Sequence, residues 1–187
     1  MRPSGLLAVL NDIVINRRSR IVECGGGIST FYIARLLQQR GGRLYSVEHD
    51  ADWARLLQDL LDAEGLGTHA TVVHAPLAPT RHPWNGAGAQ WYDEAQLACI
   101  KAAGPIDLLI VDGPPAYSKA LRYARYPAVP YFKDAFAADY TVVLDDINRQ
   151  GEQEIAARWA RELGIPFAHR FVDGTIALGR PRASFSV

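Results

Sequence analysis

Apolar residues recur along this chain at helical and strand spacing by turns, and that alternation predicts the architecture. Residues 3–16 carry Leu6, Leu7, Leu10, Ile13 and Val14 at helical intervals, predicting an amphipathic helix with these side chains inward. Residues 19–24 read as a first strand, and the helix after the following glycines turns Ile33, Leu36 and Leu37 inward. A second strand spans 43–50. A helix over 52–64 then lines up Trp53, Leu56, Leu57, Leu60 and Leu61, with Gly65 to stop it. Residues 68–75 form a third strand, 141–144 a fifth, and 106–111 a fourth so apolar that it must be buried on both faces, as parallel strands are. A helix over 151–163 with Ile155, Trp159 and Leu163 on one stripe precedes two closing strands at 167–172 and 174–178. The prediction is an α/β fold: a single doubly wound, Rossmann-like, mostly parallel sheet with helices on both faces and a C-terminal antiparallel strand pair. Its 187 residues fit one domain. The N-terminal helix lies within 1–18, and two long segments, 76–101 and 113–139, leave strand ends on the side where open α/β sheets bind ligands.

The junction between the first strand and its helix holds the strongest chemical signal. Glu23-Cys24-Gly25-Gly26-Gly27 is followed by Ile28, Ser29 and Thr30. Glycines allow a tight turn with close backbone approach, Ser29 or Thr30 can cap the helix, and the helix start offers free N–H groups to a ligand. A dinucleotide fingerprint would place a third glycine where Thr30 stands. It would also keep apolar the position held by Glu23, a carboxylate better suited to an ammonium or sulfonium than to a pyrophosphate. Cys24 sits where the turn needs a small residue, so packing accounts for it. The spacing Glu23-x-Gly25-x-Gly27-x-Ser29-Thr30 resembles motif I of the class I S-adenosylmethionine (SAM) dependent methyltransferases.

The second strand ends in Glu48-His49-Asp50. Glu48 follows Glu23 by about 25 residues, near the roughly 20-residue offset of ribose-binding acids, and a carboxylate there accepts hydrogen bonds from ribose hydroxyls. Asp50 suits a helix cap. Further on, Asp112 ends the fourth strand, and Asp145 and Asp146 end the fifth. Three converging carboxylates repel unless bonded, protonated or bound to a cation, and oxygen-only ligands suit Mg2+, Ca2+ or Mn2+. Service as a proton sink is a second role, and capping of helices and loop amides a third. Asp107, at the start of its strand, reads as structural. The long segments hold Trp84, Gly86, Gly88, Trp91 and Tyr92 in one and Tyr117, Lys119, Arg122, Tyr123, Arg125, Tyr126 and Tyr131 in the other, a mixture that could hold a polar, ring-bearing substrate.

Glu23 with its glycines, Glu48-His49-Asp50, His74-Ala75-Pro76-Leu77, Asp112-Gly113-Pro114-Pro115 and Leu144-Asp145-Asp146 together resemble a small bacterial class I SAM-dependent methyltransferase related to the catechol O-methyltransferase-like group. The resemblance implies SAM as cofactor. Glu23, Cys24, Gly25, Gly26 and Gly27 would surround its methionine part, Ser29 and Thr30 would flank it, and Glu48 would hold the ribose. His74, Ala75, Pro76 and Leu77 would border the adenine, with His49, Trp53 and Asp112 as neighbours. Asp112, Asp145 and Asp146 stand where the catechol enzymes place Mg2+ ligands, although those enzymes have Asn at the position of Asp146. They also carry a catalytic lysine shortly after the strand-four Asp, where this chain has Pro115 and its nearest lysine is Lys119. Asp112, Asp146, Lys119 or a histidine is then the base. The implied reaction is methyl transfer to an oxygen or nitrogen of a small or sugar-like acceptor, with a divalent cation as an option. A nicotinamide-dependent oxidoreductase and a non-catalytic SAM-fold binding module are the alternatives.

Composition narrows the partners. With 49% hydrophobic and 21% charged residues and zero formal net charge, nothing draws the chain toward nucleic acid or anionic membrane. No apolar run reaches a membrane span and the first residues lack a secretory layout, so the cytoplasm is expected. The two cysteines have neither metal nor disulfide spacing. Surface tyrosines and the closing strand pair leave room for a homodimer.

Overall fold

The computed structural model describes residues 1–86, 89–171 and 175–182. Seven strands form one sheet in the order β3-β2-β1-β6-β7-β9-β8, and a separate antiparallel pair is formed by β4 and β5. The strands are β1 (Arg20–Cys24), β2 (Arg43–Glu48), β3 (Ala70–His74), β4 (Leu77–Pro79), β5 (Gln90–Tyr92), β6 (Ile106–Val111), β7 (Phe136–Leu144), β8 (Phe167–Arg170) and β9 (Ile176–Gly179). The helices are α1 (Pro3–Ile15), α2 (Ile28–Arg40), α3 (Ala51–Ala63), α4 (Ala98–Ala102), α5 (Ala128–Phe132) and α6 (Gln150–Leu163). The pairs β1–β2, β1–β6, β2–β3 and β6–β7 are parallel, and β9 runs antiparallel to both β7 and β8. The order reverses between β1 and β6, and the chain crosses from one half of the sheet to the other there. No helix is long and apolar enough to cross a membrane among the described residues.

Alternation along the strands divides the core. Ile21, Leu44, Leu108, Ile110 and Val143 face α1, α2 and α3, while Val22, Val47, Leu109, Val111, Val142 and Leu144 face the other layer. That second layer is built largely from the two long segments: Trp91, Leu97, Ile100, Val129 and Phe132 are fully enclosed beside Trp159 of α6. Much of each segment is therefore core. The β4–β5 pair and the short helices α4 and α5 carry too few residues for their periods to show in the sequence.

Two helical stripes differ from the expectation. In α1 the buried side is Gly5, Ala8, Val9, Asp12 and Ile13, whereas Leu7 and Val14, expected inward, are 58% and 38% exposed. More apolar residues surround this helix than one contact face can cover, so periodicity alone selects the wrong edge of the stripe. Asp12 lies inside because Arg18 and Arg180 pair with it at 3.4 and 2.6 Å. In α3, Ala54, Leu57 and Leu61 are buried, but Trp53, Leu56 and Leu60 are at least 41% exposed. Asp50 caps α3 by accepting from the Trp53 N–H at 2.8 Å. Asp107 staples the start of β1, accepting from the N–H groups of Ser19 and Arg20 at 2.8 and 3.0 Å. Of the closing strand pair, Val172 and Gly174 lie outside the described residues, as does Gly88 of the first long segment.

Candidate active site

At the carboxyl ends of β1, β2, β6 and β7 lies a cavity of about 410 Å³. Gly25, Gly26, Glu48 and His49 form one wall, and Asp112, Gly113, Pro114, Pro115, Asp145 and Asp146 the other. Tyr92, Tyr117, Arg149, Met1 and Arg2 complete it. The opening between the walls is made by two glycines in near contact. Gly25 has φ +94°, and a Cβ there would lie 2.9 Å from the Gly113 nitrogen. A Cβ on Gly113 would lie 2.9 Å from the Gly25 Cα and 2.5 Å from the Tyr92 hydroxyl. All three distances are below any normal contact, so the two backbones approach as closely as they do only because side chains are missing.

Behind the turn, Glu23 is buried off the cavity wall. Its carboxylate accepts from the hydroxyls of Ser29, of Thr30 at 2.6 Å and of Ser46 at 2.9 Å. Burial raises its pKa, and those three hydroxyls oppose the rise. Thr30 also accepts from the Gly27 N–H at 3.0 Å, fixing the start of α2, whose cap is Gly27. Cys24 is enclosed, and burial pushes its thiol pKa up. The Trp53 indole donates to the Gly26 carbonyl at 3.0 Å and braces the turn from outside.

Glu48 is 6% exposed. Its Oε1 accepts from the His49 and Asp50 N–H groups at 2.7 and 3.0 Å and meets the His49 ring nitrogen at 2.7 Å. These contacts all use one oxygen and leave Oε2 for a ligand. His74 is exposed, Ala75 is buried with its N–H on the Glu48 carbonyl at 2.8 Å, and Pro76 and Leu77 lead into β4. These four stand off the cavity wall.

The structure brings Asp112, Asp145 and Asp146 together, with one oxygen of each within 4.8 Å of the others. Asp146 adopts φ +59°, a left-handed conformation that Asp and Asn tolerate better than other side-chain-bearing residues. Burial, and then the neighbouring Asp112, push the Asp145 carboxyl up to about 6. Its Oδ1 is enclosed without a hydrogen-bond partner. The Met1 amino group lies 2.5 Å from Asp112 and 3.4 Å from Asp145, which marks this as a place for positive charge.

Arg125, expected among the substrate-side residues of the second long segment, instead lies beneath the acids, off the cavity wall. It is 1% exposed. Its guanidinium donates to the carbonyls of Asp112 at 2.6 Å and of Pro114 and Asp145 at 3.3 Å, and it pairs with Asp146 at 3.0 Å and Asp112 at 3.4 Å. Arg149 pairs with Asp146 at 2.7 Å and with the buried Glu152 at 3.5 Å. Burial raises the Glu152 pKa, and the two arginines pull against it. Arg125 sits in a loop 13 residues after Asp112, and no local motif signals that it folds back beneath that residue. For Arg149, the three-residue spacing from Asp146 was the available signal.

A sequence model described as a methyltransferase domain matches residues 22–147. The chain belongs to that family. No curated protein matches the methyltransferase by sequence. Among solved structures, it resembles a Staphylococcus aureus protein assigned as a caffeoyl-CoA O-methyltransferase, with a TM-score of 0.70 and 12% identity over 96% of this chain and 84% of that one. A Bacillus cereus O-methyltransferase in complex with S-adenosylhomocysteine (SAH) gives 0.67 and 18% over 96% and 81%. An SAH-bound methyltransferase of Podospora anserina gives 0.67 and 13% over 93% and 76%. Identities this low establish the shared fold, a Rossmann-like methyltransferase sheet.

Other expected site residues stand elsewhere in this methyltransferase. Lys119 is exposed on a 3-10 turn (Lys119–Leu121) and does not line the cavity. Trp84 and Tyr123 stack at 4.2 Å and, with Gln90 and Leu121, line a second hollow of about 440 Å³. Among the described aromatic residues of the long segments, Tyr92 and Tyr117 reach the acid-lined cavity.

Proposed function

We propose that this methyltransferase moves a methyl group from SAM to an oxygen of a small hydroxylated acceptor, with a divalent cation at Asp112, Asp145 and Asp146. One domain spanning residues 1–187 suffices for this role. The observation that carries the reading is the cavity itself: a glycine turn with Glu48 on one wall faces three converging carboxylates on the other. Glu48 suits SAM because its free Oε2 can accept from the ribose hydroxyls. The acid cluster suits a divalent cation on two grounds. Asp112, Asp145, Asp146 and Glu152 set four carboxylates against three cations, the guanidiniums of Arg125 and Arg149 and the Met1 amino group. The buried Oδ1 of Asp145 also has no partner, and oxygen-only ligand sets take Mg2+, Ca2+ or Mn2+.

When bound, SAM supplies a methyl group already activated by a sulfonium. The chain's part is to orient both reactants, and positioning carries much of the rate. Asp112 or Asp146, both partly exposed at the cavity, can take the acceptor's proton. Lys119 has no part in this proposal, because it lies off the wall. The likeness to two SAH-bound structures supports the choice of cofactor. The family match favours this reading over a nicotinamide-dependent oxidoreductase.

Calorimetric titration with SAM and SAH, with and without Mg2+ or EDTA, tests the proposal. We expect micromolar binding, lost in Glu48→Ala. No binding of either ligand would overturn the cofactor assignment. Binding without turnover on any hydroxylated acceptor would point to a non-catalytic module.

A further inference from the structure

We infer that Tyr92 is a cofactor-binding residue whose hydroxyl donates a hydrogen bond to the nucleoside part of SAM. The inference rests on the reading of the cavity as a SAM site and adds a contact that motif I and the acidic end of β2 do not predict.

Tyr92 is 1% exposed and is carried by β5, the second strand of the pair outside the main sheet. Trp91 packs against its ring at 5.5 Å and His49 meets it edge-on at 6.4 Å, so its direction is fixed. The hydroxyl has no hydrogen-bond partner. Tyr92 nevertheless lines the cavity, and its hydroxyl lies against Gly113. A buried phenol without a partner is costly, since the lost hydrogen bonds to water are not replaced. Burial holds its pKa well above the ordinary tyrosine value, so the group remains a donor.

The surroundings indicate what it meets. Glu48 is followed by His49, whose ring meets that of Tyr92, and all three line the cavity, so a ligand whose ribose reaches Glu48 has its nucleoside part within reach of Tyr92. Ribose oxygens and adenine ring nitrogens are acceptors that such a donor can use. Gly113 belongs to the same device, because a Cβ at that position would meet the hydroxyl at 2.5 Å.

Tyr92→Phe tests this with two readouts of opposite sign. Without ligand, removal of an unpartnered buried hydroxyl should leave the unfolding temperature unchanged or raised. In calorimetry, affinity for SAH and for adenosine should fall by a similar factor, roughly five- to tenfold, the scale of one hydrogen bond. Affinities equal to those of the wild type would overturn the inference. So would a lowered unfolding temperature with unchanged affinity, which would make the hydroxyl a packing group. A wild-type protein that failed to bind SAH would instead overturn the parent reading, and this one with it.

Discussion

The two ends of this candidate active site both hold carboxylates out of full contact with water, and they satisfy them in different ways. Behind the glycine turn, Glu23 is held by the hydroxyls of Ser29, Thr30 and Ser46, all neutral and all on adjacent elements. At the ends of β6 and β7, Asp112 and Asp146 are held by arginines and Asp112 and Asp145 by the Met1 amino group, with one Asp145 oxygen unpartnered. A carboxylate enclosed by neutral donors can staple a turn but has no oxygen left for a ligand. A cluster with surplus charge at a cavity can bind a cation or take a proton. The comparison teaches that burial and acidity alone do not identify a chemical carboxylate; the unused acceptor oxygen does.

The largest effect should come from removing the charge that organises the acid end. Arg125→Met would take from Asp112, Asp146 and Glu152 a shared buried partner, and loss of one side of a buried ion pair typically costs about 3–5 kcal/mol. Urea denaturation should show a loss of that size. A loss below about 1 kcal/mol would mean that the acids do not depend on Arg125.

Next comes Asp145→Asn. If the acid end is chemical, turnover should fall by about 100-fold, or some 2.7 kcal/mol in barrier, and the response to added Mg2+ should vanish while calorimetric SAH affinity stays within about twofold. Retained, Mg2+-stimulated turnover would remove the cluster from the mechanism.

Gly113→Ala probes the opening between the two ends. The new methyl meets Tyr92 and the Gly25 backbone, and overpacking of this kind costs about 1–3 kcal/mol. Weaker SAH binding is expected together with a lowered unfolding temperature, and an unchanged isotherm would show that the opening is not where the ligand lies.

The smallest effect belongs to Glu23. Burial raises its folded pKa above the unfolded value, so the folded protein holds the proton more tightly. That stabilisation is fully present below the unfolded carboxylate range and is lost as pH rises through the folded pKa. Glu23→Gln should therefore remove this loss of stability as pH rises through the weakly acidic range, gaining on the wild type as pH increases. A variant that lost most stability at neutral pH would show that the ionised carboxylate is the favoured form.

Much of this was legible in the chain. The fourth strand falls at 106–111 as its almost wholly apolar run predicts, because a parallel strand buried on both faces needs apolar residues on both. The glycine turn and the strand-end acids could be named because each depends on residues adjacent in sequence. The inward edge of α1 was misjudged, since packing chooses among several apolar stripes. Local sequence thus determined the strand order's raw material, the turn that needs Gly25, and the acids that strands β6 and β7 would present. Only the tertiary structure decided that Arg125 returns beneath Asp112, that Tyr92 brings an unpartnered hydroxyl to the cavity, and that Glu23 faces hydroxyls instead of the cavity. Those outcomes depend on groups far apart in sequence meeting where water is excluded, and no local period or spacing encodes such a meeting.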